Sequence, residues 1–377
     1  MATTYKHFTK VLFLALNCVA VVVFLLACIA PYLNPAKWWF ISLLGLGYAF
    51  IIVTLIAFVF FWLVFNPRYV FISLLALLIG WKGISVFFAF HIPNKFDYAK
   101  PKKILRVAHW NVASFLERRR NNNKASQTRL KMMDLIKEQN ADVLCMQEFF
   151  TSADPVNYNN IDYIIKELSY PYYYFSWDSD GYLQWVGQVI FSRYPILDSG
   201  LVRYQPPSMP ESLIHVDLAV NGDTVRIYTT HLQSVRFRKE DYERIKAIKD
   251  RDSGLMQNSK SIFSKLKRGE ILRYKQADMV KKEIATSPYP YLLTGDFNDV
   301  PNSYTYYTIR GSQLQDAFLT TGLGVGRTYS YIAPTLRIDY VLPDKHFHIK
   351  QFNRIIKNYS DHYMLVTDLE LNTRINH

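Results

Sequence analysis

The sequence predicts an α+β fold, a two-sheet sandwich with helices outside, preceded by three membrane-spanning helices. Three observations carry this. The first quarter is built of long apolar runs and has no acidic residue before Asp97. From residue 104 onward, short apolar stretches of strand type alternate with stretches of helical spacing. Several of the strand-like stretches end in Asn, Glu, Asp or His rather than in ordinary turn residues.

The apolar runs come first. Residues 11–30, 38–65 and 69–90 are each long enough to cross a hydrocarbon core of about 30 Å at 1.5 Å per residue. Asn17 is the main polar exception in the first run and Lys82 lies inside the third. The first run is too long for a cleaved signal peptide and two more follow it. Trp38, Trp39 and Tyr69 stand near run ends, where aromatic rings favour the interface. Lys82 is expected to snorkel to one surface, because charge at membrane depth is costly. Three spans put the chain ends on opposite sides. Lys6 and Lys10 hold the start inside, while Lys95, Lys100, Lys102, Lys103 and Arg106 pull the other way. The balance favours an integral, multi-pass protein with its large domain on the extracytoplasmic side. Cys18 and Cys28 lie in the first run and Cys145 in a strand, so the large domain has no cysteine pair to report redox compartment.

The net charge of +13 is unevenly placed. Residues 1–96 carry +6, residues 97–106 carry +3, residues 235–275 carry +7, and the remainder −3. The excess belongs to the membrane border, with a basic juxtamembrane linker at 95–103, and to an insertion at about 235–270. This suits an anionic lipid surface better than a duplex nucleic acid, which wants a basic face beside the site. The stretch 236–251 mixes both signs as an exposed helix would.

The large domain is expected over 104–377. Strands are read at 104–110, 141–146, 172–177, 186–191, 214–220, 225–230, 291–294, 337–342 and 363–371, and helices at 129–139, 161–168 and 271–284. Asn221-Gly222 between two strands is a hairpin signal.

The strand ends supply the chemistry. Glu148, after an apolar strand, offers a carboxylate to a hard divalent ion such as Mg²⁺, or equally reads as a surface residue. In Gly295-Asp296-Phe297-Asn298 the glycine permits a tight turn. The carboxylate of Asp296 can then orient a water or leaving group while the Asn298 amide donates to a phosphate oxygen; the plain alternative is an Asx turn. His362 follows Asp361, and Asp339 is available to orient it for acid–base or electrostatic work. His231 ends a strand and reads equally as a cap or a catalytic group. His109 reads as structural, turned away from Asn111 by strand alternation. There is no zinc-type Cys/His cluster, no Gly-rich phosphate loop and no G-x-S-x-G elbow.

Trp110-Asn111, Gln147-Glu148, the run 187–196, Thr230-His231-Leu232, Gly295-Asp296-Phe297-Asn298, residues 337–341 and Ser360-Asp361-His362 occur in a fixed order. In that order they resemble the endonuclease/exonuclease/phosphatase superfamily with the deoxyribonuclease-I-like fold, across roughly residues 104–372. The resemblance implies a four-layer αββα sandwich with its site at one end. It implies Mg²⁺, with Mn²⁺ or Ca²⁺ as substitutes, on Glu148, with Asn111 and Asp361 nearby. Asp296 and Asn298 would position the water and a phosphate oxygen. His362, oriented by Asp339, would be the general acid–base or phosphate clamp. His231 looks like the second phosphate-binding histidine of the nuclease, sphingomyelinase and inositol-phosphatase branches. Gln188 departs from relatives that place an acid near that histidine. The expectation is therefore a metal-dependent phosphoesterase with a lipid bilayer as partner. Its substrate would be a phosphate ester, lipid-linked or phospholipid in preference to nucleic acid. A catalytically silent scaffold is the non-enzymatic alternative.

Overall fold

The computed structural model describes residues 2–92, 94–116, 127–205, 211–235, 237, 240–241, 243–245 and 255–372. The chain divides into two compact units. One comprises Met1–Phe88, Ser234–Lys275 and Asp299–Tyr307; the other comprises Ala89–Gln233, Gln276–Asn298 and Thr308–His377. The boundary expected after residue 94 thus falls after Phe88. The basic insertion groups with the apolar helices rather than with the domain that contains it in sequence. Most of the mixed-charge stretch 236–251 lies outside the described residues.

In the first unit the helices are α1 (Ala2–Ile29), α2 (Pro35–Ser42), α3 (Tyr48–Phe65), α4 (Val70–Ile79) and α5 (Trp81–Phe87). Two segments, His7–Tyr32 and Pro35–Phe65, are long and apolar enough to cross a membrane. The third expected span is not straight. Pro67–Ile79 and Trp81–Phe87 meet at a 62° bend, so the count reaches three only if this bent pair is one span. The bend falls at Gly80, where a Cβ would stand 2.3 Å from the Phe24 ring. Glycine is what lets α1 approach there. Fully buried Asn17 accepts a 2.6 Å hydrogen bond from the equally buried Ser73 hydroxyl. The polar exception of the first run is thereby tied to the third through its oxygen. Lys82 is exposed, with its ammonium 5.5 Å above the Tyr32 ring just beyond α1, as a snorkelling lysine requires.

The second unit holds the sandwich. Its strands are β1 (Ala89–Phe90), β2 (Ile104–Asn111), β3 (Val143–Ser152), β4 (Tyr172–Phe175), β5 (Asp178–Ser179), β6 (Gln184–Ser192), β7 (Ile196–Arg203), β8 (Ser212–Val220), β9 (Asp223–His231), β10 (Tyr291–Asp296), β11 (Leu323–Gly324), β12 (Asp339–Pro343), β13 (Phe347–Ile355) and β14 (Met364–Leu371). A seven-stranded sheet runs β13-β14-β2-β3-β6-β4 with β5 also on β6, and a five-stranded sheet runs β12-β10-β9-β8-β7. Alternation along β2 divides the core. Leu105 and Val107 join Ile214, Val216, Ile227 and Leu292 between the sheets. Ala108 and Trp110 pack outward on Met132, Met133 and Ile136 of α6 (Thr128–Gln139) and Ile161 and Ile164 of α7 (Asn160–Leu168). A longer helix, α8 (Leu255–Ile284), begins well before the expected residue 271. Its last residues, from Gln276, belong to this second unit.

The basic linker is not free chain. Arg106 is fully buried; it pairs with both oxygens of Asp368 (2.6 and 2.8 Å) and donates to the carbonyls of Asp97 and Tyr98. Lys100 pairs with Asp142, and Gln351 bonds the Asp97 backbone at both its N–H and its carbonyl. Residues 97–100 are therefore held by the sandwich rather than left to lipid.

Candidate active site

The polar strand ends meet at one end of the sandwich because register aligns them. His231, Asp296 and Asp339 lie side by side across β9, β10 and β12, and Asn111 faces Gln147 across β2 and β3. The β10 end needs its glycine. A Cβ on Gly295 would lie 2.6 Å from the Thr230 carbonyl oxygen, closer than real atoms approach. The β3–β6 register shifts between Met146 and Phe149, and Glu148 inside this irregularity has φ +49°. A bulge of this kind re-aims a side chain, and here it turns the carboxylate outward, 40 % exposed.

Asp296 is the hub. Its Oδ2 accepts from Asn111 Nδ2 at 3.0 Å and lies 3.6 Å from both His231 Nε2 and His362 Nε2. Its Oδ1 accepts the Asn298 backbone N–H at 2.9 Å, and Asn298 has φ +51°. The Asx turn and the functional reading are thus one structure: the turn fixes the carboxylate. Asn298 spends one amide N–H on the Leu232 carbonyl at 3.0 Å. Asn111 also donates to Glu148 Oε1 at 3.2 Å, while its own oxygen accepts from the Ala113 N–H.

Asp339 holds two imidazoles. His362 Nδ1 is 2.9 Å from its Oδ2 and His109 Nε2 is 3.2 Å from its Oδ1. This corrects the expectation for His109. Positions two apart on a strand share a face, so His109 and Asn111 both point between the sheets, and His109 reaches the residue that orients His362. The spacing alone carried that signal. The His362 backbone is pinned by Trp110 Nε1 on its carbonyl at 2.9 Å and by the Ser360 hydroxyl on its N–H. The Tyr329 ring packs against the imidazole at 5.0 Å. Trp110, Ser360 and Tyr329 in these supporting roles were not legible beforehand.

The electrostatics follow from this packing. Burial alone would lower His362, but the Asp339 and Asp296 carboxylates and the Asp339 hydrogen bond raise it well above the ordinary histidine value. Burial would raise Asp339, but the His362 charge and the bonds from both histidines hold it below the usual carboxylate range. Asp296 is raised, by burial first and then by Asp339, against the pull of His362 and His231. Asp361 is raised by burial and by the neighbouring Glu148 carboxylate, against the pull of His362.

Asp296, Asp339 and His362 offer ligand atoms within 4.8 Å of one another. That trio reads better as a hydrogen-bonded relay, because the Asp339–His362 bond already occupies the facing atoms. The carboxylates of Glu148 and Asp361, hard oxygen donors close enough to repel, suit a divalent ion. Asn111, expected beside them, turns its Nδ2 to Glu148 and Asp296 and its oxygen to the Ala113 N–H. The buried Nε2 of His231 has no hydrogen-bond partner, although Glu148 Oε1 lies 3.9 Å away. A buried donor left open at a cluster of acids suits an incoming oxyanion. Gln188 is buried and its backbone N–H donates to the Ser176 hydroxyl oxygen, while the carboxylates beside His231 are Asp296 at 3.6 Å and Glu148 at 3.9 Å.

A model of the Endonuclease/Exonuclease/phosphatase family matches residues 108–362. The chain belongs to that family. It is a metal-dependent hydrolase of phosphate ester bonds, as the family's members are. A domain of unknown function matches residues 10–87. No curated protein matches the chain. Among solved structures, an endonuclease/exonuclease/phosphatase from Beutenbergia cavernae is similar over 71% of this chain and 72% of its own, with 18% identity and a TM-score of 0.50. A Bacteroides vulgatus endonuclease/exonuclease/phosphatase covers 71% and 99%, with 20% identity and a TM-score of 0.49. A humanized D. rerio TDP2 covers 71% and 99%, with 17% identity and a TM-score of 0.49. The first of these bears out the expected sandwich, and the family's αββα layering matches the two sheets and outer helices described above.

Proposed function

We propose that this chain is a membrane-anchored, Mg²⁺-dependent phosphoesterase acting by direct water attack, with a phospholipid or lipid-linked phosphate ester as substrate. The carrying observation is that Asn111, His231 and His362 converge on one carboxylate oxygen of Asp296, with Glu148 bonded to Asn111 and a buried imidazole nitrogen open to an oxyanion.

Glu148, Asn111 and Asp361 would hold the divalent ion, which when bound polarises the phosphoryl group. His231 and the protonated His362 face the phosphate oxygens and offset charge developing there. Asp296, buried and fixed by Asn111 and by the turn at Asn298, orients the attacking water and draws off its proton. Asp339 keeps His362 in one orientation and protonated, so that His362 can donate to the departing oxygen. Asn298 steadies the loop and presents its remaining amide hydrogen.

The lipid preference is supported by where the charge lies. The basic insertion groups with the apolar helices, while the unit that carries the site is near neutral outside its linker. An extracytoplasmic catalytic unit is the orientation that Lys6 and Lys10 at the start support if the bent pair is a third crossing. A reporter fused after His377 tests that orientation. Full-length protein should hydrolyse phospholipid vesicles faster than single- or double-stranded DNA at matched Mg²⁺ and salt, and EDTA should stop it. Asp296→Ala should lower kcat by about 10³-fold with the fold intact by circular dichroism. Faster DNA cleavage would move the reading to a nuclease, and full turnover by Asp296→Ala would remove the water-positioning role.

A further inference from the structure

The charge on α8 is sorted by face. Between Leu255 and Lys275 the helix carries Lys260, Lys265, Lys267, Arg268, Arg273 and Lys275 against one acid, Glu270. That acid is buried, 2.6 Å from the buried Arg273 guanidinium, which also reaches Asp299 at 3.3 Å. Lys265 is taken up by Asp241. The buried stripe runs through Ile262, Gly269, Glu270 and Arg273, all within the first unit. The opposite face, at the i, i+3, i+7 and i+8 spacing of one helical side, presents Lys260, Phe263, Lys267 and Arg268. All four are exposed, Phe263 to 52 %. An exposed face that is uniformly cationic yet carries a bare phenyl ring is poorly suited to water alone.

Its depth is marked by a contact inside the same unit. The Lys267 ammonium lies 4.9 Å from the centre of the Trp39 ring. Trp39 opens the second apolar segment, between Trp38 and Phe40, which are 44 % and 51 % exposed. Tryptophans at the mouth of a spanning segment sit at headgroup level, and a lysine stacked on one sits there too. Lys37 is exposed beside them.

We infer that the Lys260–Arg268 face of α8 is an interfacial docking surface for anionic phospholipid headgroups. Lys260, Lys267 and Arg268 would meet the phosphates, and Phe263 would reach into the acyl boundary. A basic amphipathic helix lying in the interface binds this way, through buried apolar area and attraction to acidic lipid. Nucleic acid is the less apt partner, because Lys267 is committed to an aromatic ring of the membrane unit. The inference rests on the membrane reading but not on the hydrolytic one.

The test places photoreactive benzoylphenylalanine at position 263 of the full chain, in nanodiscs of equimolar phosphatidylglycerol and phosphatidylcholine. Irradiation should yield lipid adducts favouring phosphatidylglycerol by roughly fivefold or more, the effect of one near-surface charge. Combined Lys260→Glu, Lys267→Glu and Arg268→Glu should bring that ratio to about one or below. If the reversal misfolds the chain by circular dichroism, Lys260→Gln with Arg268→Gln, which keeps Lys267 on Trp39, should lower the ratio in the same direction. Absence of lipid adducts, or equal labelling of both lipids by the chain with its native charges, overturns the inference. Displacement of the adducts by a single-stranded oligonucleotide overturns it in favour of nucleic acid. A chain that does not enter the discs at all defeats the membrane reading itself, whatever its hydrolytic activity.

Discussion

Asp339 is buried, and two histidines depend on it. Its negative charge is the first of three, with those of Asp296 and Asp361, that hold His362 above the ordinary histidine value against the effect of burial. Removing that charge must lower the His362 value, so Asp339→Asn should move the alkaline limb of the pH–rate profile towards lower pH. The carbonyl oxygen of Asn preserves an acceptor, so the protein should stay folded. An unmoved limb would mean that His362 is not the group that limits turnover at high pH. His109 sits one bond further out. His109→Leu removes a donor to a buried carboxylate, an interaction of about 1.5–3 kcal/mol. We expect kcat to fall at least about tenfold with KM unchanged, since no contact to substrate is lost. His109→Gln, which can place an amide N–H near the same point, should recover most of that loss. A deficit in KM alone would contradict a positioning role.

Strands were legible where both of their faces are buried. The central strands β2, β3, β9, β10 and β14 are buried on both faces and announce themselves as apolar runs. Two of the strands that went unread, β7 and β13, lie at the edges of the two sheets. Their polar positions, such as Asp198, Ser199, Lys350 and Asn353, break the apolar pattern because only one side is covered. Helix α8 was read only from residue 271, because its earlier turns are rich in Lys and Arg and end at Glu270, whose buried pairing with Arg273 looks like solvated charge in a sequence. That burial has a pH signature. The Glu270 carboxyl is pushed up to about 7, chiefly by desolvation and then by Asp299. A carboxyl raised in the folded state binds its proton more tightly there than when unfolded. Stability is therefore fullest below the unfolded value of about 4.3 and is lost as pH rises to about 7. Thermal unfolding in detergent should show Tm falling across that window, and Glu270→Gln should flatten the slope. An unchanged slope in the variant would assign the pH dependence elsewhere.

At the scale of the whole chain, the ordered motifs carried the family and the meeting of Asp296, His362 and Asp339, because those positions are set by strand ends. What the sequence could not convey was grouping in space. Residues 234–275 interrupt the catalytic domain but pack with the apolar helices, and Asp299–Tyr307 does the same directly after the Asn298 turn. Within that first unit the Asn302 amide donates to the Ala27 carbonyl at 2.9 Å, a contact between residues 275 positions apart that no periodicity announces.

The catalytic cluster draws on both sheets: Asn111, Glu148 and the lead-in to β14 from one, His231, Asp296 and Asp339 from the other. The two rims touch, but what sets their separation is the apolar filling beneath them, including Val107, Cys145, Ile227 and Leu365. A sub-ångström slide of one sheet over the other would leave every strand intact and still pull the Asp296 carboxylate away from Asn111. Reaction rate should thus be a finer gauge of core repacking than melting temperature, and a conservative change deep in the sandwich can silence the enzyme while the protein still looks native by every bulk measure.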